Sequence, residues 1–171
     1  MKTSFKILLF ADAITLFSGA LLGPIYAIFV QKIGGDILDA SVAFAIFSLV
    51  SGAVIFLIGR FEDRVKEQEL LIVAGYLIIA VGYFGYLLVQ NPLHLFIVQA
   101  VIGIGMAFEL PAIDATYSKH LDHNRAAYNW GAWEGMNRLT LGMGALAGGL
   151  IVSIFGFPIL FVLMGTFCLT S

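Results

Sequence analysis

Residues 93–117 read LHLFIVQAVIGIGMAFELPAIDATY, 25 positions without a lysine or arginine. Wound as an α-helix at about 1.5 Å per residue, such a run reaches about 37 Å, enough to cross a hydrocarbon core of about 30 Å. Barrel strands would alternate in segments of about ten residues, whereas this run is continuous and rich in Leu, Ile, Ala and Gly. The stretch therefore reads as a membrane helix. Its character recurs along the chain: of 171 residues 60% are apolar and 12% charged, and the mean hydropathy is +0.98. That lies outside the range of water-soluble domains. Further apolar runs at about 5–30, 42–58, 70–89, 128–154 and 158–171 are separated by short polar or Gly/Pro-bearing turns. The expectation is an all-α membrane protein, with one six-helix transmembrane domain over residues 1–171.

The first run opens like a secretory leader, with Lys2, Lys6 and small residues at Ser18-Gly19-Ala20. It continues through Gly23-Pro24 to Val30, so it is kept as a span. The last run, 158–171, would measure only about 21 Å. It is therefore expected to continue past Ser171, as a truncated sixth helix, or to be held by a partner. Lys2, Lys6, Arg60, Arg64, Lys66, Lys119 and Arg125 fall at one set of helix ends and Lys32 at the other. The positive-inside rule then makes both termini cytoplasmic, in an integral protein of the plasma (cytoplasmic) membrane. Tyr128, Trp130 and Trp133 open the fifth span on that side and fit an interfacial anchor, with ligand stacking as the alternative.

A net charge of −2 and the lack of a long basic run give no reason to expect nucleic acid as a partner. Cys168 is the sole cysteine, so it offers neither an intrachain disulfide nor a Cys cluster for a metal. No metal and no cofactor is expected. His120 and His123 flank a loop without a second ligand cluster, Ser18 and Ser51 lack a nucleophile context, and Gly34-Gly35 lacks the rest of a phosphate cradle. No catalytic residue is assigned, and the chain is not expected to be an enzyme.

The two halves show a faint internal likeness. Asp12 and Pro24 are twelve residues apart in the first span, as are Gln99 and Pro111 in the fourth. Ser48, Ser51, Gly52 and Ala53 before Gly59-Arg60-Phe61 resemble Gly144, Ala147, Gly148 and Gly149 before Phe155-Gly156-Phe157. Helices so related run in opposite directions, which predicts a three-plus-three inverted repeat. The rival reading is coincidence, since Gly and Pro are frequent in membrane helices.

Three motifs add a family. Gly59-Arg60-Phe61-Glu62-Asp63-Arg64 follows the second span, where a glycine and an Asp-Arg pair can lock helix ends that later rock apart. It resembles the signature loop of the major facilitator superfamily, Gly-x-x-x-Asp-Arg/Lys, with Gly59, Asp63 and Arg64 as the gating residues; Lys66, Glu67 and Gln68 stand where a second glycine and basic residues are usual. Gln99-x-x-x-Gly103-x-Gly105-x-Ala107 is similar to the family's fourth-helix pattern, with Gln99 in place of an arginine associated with proton coupling. Gly144-Ala145-x-x-Gly148-Gly149 is similar to its fifth-helix Gly-Pro-x-x-Gly-Gly. Gly103, Gly105, Gly144, Gly148 and Gly149 are expected to allow close helix packing, and Gly19/Gly23 and Gly131/Gly135 read as further contact pairs.

The resemblance covers nearly the whole chain and corresponds to the first six of the usual twelve helices. It implies alternating-access transport of a small solute, by a homodimer or as part of a longer chain. The competing class is a non-transporting six-helix membrane protein with an assembly or sensory role.

Ionisable groups inside a membrane cost at least about 2.5 kcal/mol each and face a cavity or a partner. Asp12, Glu109, Asp114, Glu134 and Arg138 all fall in the cytoplasmic halves of the first, fourth and fifth spans. Glu134 and Arg138 are spaced to pair at i,i+4, with Asp114 and Glu134 near enough to the interface to be hydrated. Four acids against one base leave a surplus that must be protonated, hydrated or bound to a cation. With Gln99 these residues form the expected substrate and proton or cation site.

Overall fold

Pro24 decides the shape of the first span. It has no N–H, and its ring would meet the carbonyl four residues earlier, so a helix reaching it is kinked or broken there. In the computed structural model, which describes residues 3–62, 67–120 and 125–171, α1 (Thr3–Ala20) stops four residues before Pro24. A 3-10 turn at Gly23–Ile25 then leads into α2 (Tyr26–Lys32). Side chains are described for 9–59, 67–120 and 125–171.

The remaining elements are α3 (Ile37–Glu62), α4 (Gln68–Gly85) with a 3-10 turn at Tyr86–Leu88, α5 (Pro92–His120), α6 (Ala126–Phe155) and α7 (Phe157–Thr170). Among the described residues five spans are long and apolar enough to cross a membrane, and α7 is a shorter apolar helix. Among the described residues no strand occurs.

Capping explains where two helices begin. Asp36 and Asp39 accept hydrogen bonds from each other's backbone N–H, both at 2.9 Å. This reciprocal cap starts α3 at Ile37, five residues ahead of the apolar run expected at 42–58. Asn91 accepts from the His94 N–H at 3.0 Å, with Pro92 in the first helical position of α5. Pro111 lies inside α5, which stays helical throughout. Between α6 and α7 stands Gly156 alone, at φ 82° and ψ 176°, a conformation almost closed to residues with a Cβ.

α5 packs between α3 and α4, α4 also packs on α7, and α1 packs on α6 and α7. Missing side chains at the crossings bring backbones together. A Cβ built at Gly105 would lie 2.9 Å from the Gly75 carbonyl oxygen, and one at Gly103 would lie 2.7 Å from that of Phe47. One at Gly144 would meet the Ala20 Cβ at 2.6 Å, and one at Gly148 would collide with the Leu21 carbonyl. Gly149, grouped with these four from the sequence, meets nothing within 4 Å, and the same holds for Gly23, Gly131 and Gly135. Those glycines are not contact points among the described residues. α3 turns Leu49, Phe56 and Leu57 outward, a surface suited to lipid.

Candidate functional site

The packing leaves a gap between α1 and α6 on one side and α3 and α5 on the other. It is a cavity of about 530 Å³, within the usual range for small-molecule sites. α1 contributes Asp12 and Thr15, α5 contributes Glu109 and Asp114, and α6 contributes Glu134 and Asn137. The three spans expected to carry the charges thus converge on one space.

The acids form a graded series. Asp12 and Glu109 are buried, at 8% and 5% exposure, whereas Asp114 and Glu134 are exposed. Glu109 lies within electrostatic reach of Asp12 and Asp114, and Asp114 within reach of Glu134. Glu109 Oε2 and Asn137 Oδ1 are buried and have no hydrogen-bond partner among the described residues. Such an orphaned buried oxygen carries a penalty of about 1–3 kcal/mol or more unless a ligand or proton satisfies it. Glu109 cannot retreat, because Gly75 of α4 lies against it: a Cβ there would sit 2.8 Å from the Glu109 Cβ.

The other candidate residues lie apart from this series. Arg138 reaches Glu134 at 3.6 Å, is itself 77% exposed, and does not line the cavity. Gln99 donates from Nε2 to the Tyr26 hydroxyl at 2.7 Å, tying α5 to α2. It lines an adjoining cavity of about 260 Å³ walled by Tyr26, Phe44, Phe47, Tyr83 and Tyr86. Phe47 and Tyr83 also line the acidic cavity, so the two spaces meet there and Gln99 stands beyond the junction. Gly59, in the last turn of α3, has nothing within 4 Å of a built Cβ, and Asp63 and Arg64 lie outside the described residues.

Trp130 and Trp133 read from the sequence as an interfacial anchor, yet both line the acidic cavity. Trp133 is buried, its ring 3.9 Å from that of Tyr117, and the Tyr117 hydroxyl donates to the Asn129 carbonyl at 2.6 Å. Tyr128, 74% exposed, fits the anchor role better. Sequence reasoning passed over Gly75 and Tyr76, the latter within electrostatic reach of both Glu109 and Asp12. The sequence offered only an adjacent glycine and tyrosine in an apolar run, and their place beside Glu109 follows from the packing of α4 on α5.

The family model described as Major Facilitator Superfamily matches residues 8–171. An uncharacterized MFS-type transporter of Methanocaldococcus jannaschii is 24% identical over 151 residues, covering 88% of this chain and 39% of the relative. The chain thus spans about two fifths of the length of the curated relative it matches.

Proposed function

The chain belongs to the major facilitator superfamily, and from that footing we propose that it forms one six-helix half of a secondary-active transporter moving a small solute by alternating access. The observation that carries this is the cavity into which α1, α5 and α6 direct Asp12, Glu109, Asp114 and Glu134. A membrane protein keeps buried acids around a space when a solute, proton or cation uses them. Asp12 and Glu109 serve as the proton or cation site. The protein sits in the plasma (cytoplasmic) membrane with both termini cytoplasmic, and Asp63 and Arg64 serve in the gating loop.

The three-plus-three inverted repeat belongs to the same proposal, and the packing supports it. Exchanging the first, second and third spans with the fourth, fifth and sixth maps the α1–α6 contact onto α5–α3. It also maps α1–α7 onto α5–α4 and α4–α7 onto itself. The glycines at these crossings do not follow the exchange, since Gly144 and Gly148 of α6 meet the first span whereas the α3–α5 crossing uses Gly103 of α5.

Two six-helix units of equal orientation enclose an alternating-access cavity, either as a parallel homodimer or as the halves of a longer chain. The intact mass of the native membrane product and its stoichiometry in nanodiscs decide between them. A product near twice 18.5 kDa indicates the longer chain, and a dimer of short chains indicates the homodimer. A strict short monomer that moves no solute in liposomes overturns the transport reading. That outcome favours an assembly or sensory role, for which Gln99 in place of the family's arginine and the departures from the loop pattern after Arg64 are the supporting observations.

A further inference from the structure

We propose that the solute is an organic cation with an apolar, ring-bearing body, an inference that rests on reading the acidic cavity as the solute site. Among the described residues four carboxylates line that cavity and no lysine, arginine or histidine does. Arg138, paired with Glu134, is itself 77% exposed and does not line the cavity. An anionic solute would meet uncompensated like charge, whereas a cation would find the Glu109 Oε2 that has no hydrogen-bond partner among the described residues.

A small hydrated cation would not need the rest of the wall. Trp130 and Trp133 of α6 line the cavity together with the acids of α5, and Tyr83 and Phe47 line it where it adjoins the second cavity. Tryptophan faces attract cations through the ring quadrupole, and apolar walls reward a body that gives up its hydration. Acid and ring together select charge and apolar bulk in one molecule. A sugar would leave the carboxylates unanswered, and an inorganic cation would leave the rings idle.

The test is equilibrium binding of radiolabelled tetraphenylphosphonium to the intact native product in nanodiscs, with empty nanodiscs subtracted. Tetraphenylborate, of the same shape and opposite charge, serves as competitor. Saturable binding is expected, with the borate at least tenfold weaker as a competitor than unlabelled cation. Glu109→Gln and Asp12→Asn should each weaken binding about tenfold by removing one opposite charge. Trp130→Leu should weaken it about threefold, keeping bulk while losing the quadrupole. Glu69→Gln, the same change of charge outside the cavity on α4, is the control and should shift nothing.

Absence of saturable binding, equal competition by the borate, or wild-type affinity in both carboxylate variants overturns the proposal. Two carboxylate variants, each checked for monodispersity, keep the test valid if one fails to fold. Failure here with solute flux intact overturns the cationic specificity alone. Saturable cation binding without any flux overturns the transport reading alone.

Discussion

α5 and α6 are nearly the same length, 29 and 30 residues, and both carry glycines and acids, yet the fold uses them in opposite ways. Half of the most apolar stretch of α5 is buried, against 17% of that of α6. α5 is clamped from two sides, by α3 at Gly103 and by α4 at Gly105, and its Glu109 is sealed behind Gly75. α6 touches α1 along one face at Gly144 and Gly148, while Gly131, Gly135, Gly142 and Gly149 meet nothing within 4 Å. Its Glu134 is exposed and paired with Arg138. The same residue types thus hold the bundle's centre in one helix and form a wall of the cavity in the other. Position in the packing, rather than residue type, separates the roles.

The contrast breaks most visibly at Gly105. A leucine there has no room against the Gly75 carbonyl and the Ile79 backbone nitrogen, both 2.9 Å from a built Cβ. Two helices must part, at a cost of more than about 3 kcal/mol. Size-exclusion chromatography in detergent should show loss of the monodisperse peak for Gly105→Leu and its retention for Gly149→Leu. Equal behaviour of the two would mean that α5 is not clamped.

Next in size is the difference between the two glutamates. Removing the buried Glu109 charge by Glu109→Gln should reduce the pH-dependent part of uptake in proteoliposomes at least tenfold, about 1.4 kcal/mol. Glu134→Gln, at a residue already hydrated and paired, should reduce it threefold or less. Undiminished pH dependence in Glu109→Gln would remove that residue from the coupling site and leave α5 as a purely structural helix.

The extent to which this was legible beforehand follows the same division. Hydropathy locates the membrane helices because burial in lipid demands long apolar runs. The helix starts that it places late, as at Asp36 and Asp39, are set by capping hydrogen bonds, which a hydropathy window scores as polar interruptions. Convergence of Asp12, Glu109 and Glu134 was readable because a charge in an apolar run needs a shared polar space. Trp130 and Trp133 were not assigned to the cavity, since at a helix end a tryptophan suits the interface and a cavity equally well until the neighbouring helix is known. Gly131 and Gly135 share their spacing with Gly144 and Gly148, and only the position of α1 tells the pairs apart.

A smaller effect sharpens the contrast through the tie between α5 and α2. Tyr26→Phe removes the 2.7 Å bond from Gln99 and should cost about 1 kcal/mol, a fall of a few degrees in the melting temperature of the reconstituted protein. Asn129→Ala, by comparison, should cost little, because Tyr117 bonds the Asn129 backbone carbonyl and that group survives the substitution.

The smallest change is the most informative about what lies outside the chain. Alanine is a better helix former than glycine by about 0.5–1 kcal/mol, and a Cβ at Gly135 meets nothing within 4 Å. Gly135→Ala should therefore raise the melting temperature by a degree or two when the six-helix unit stands by itself. If that variant loses stability in the native product but not in the isolated unit, a backbone from outside residues 1–171 packs against this face of α6. The open glycines would then be contact points after all, facing the second unit instead of α1. The wall of the cavity would owe its shape to two six-helix units, and the difference between α5 and α6 would reduce to which unit each helix was built to meet.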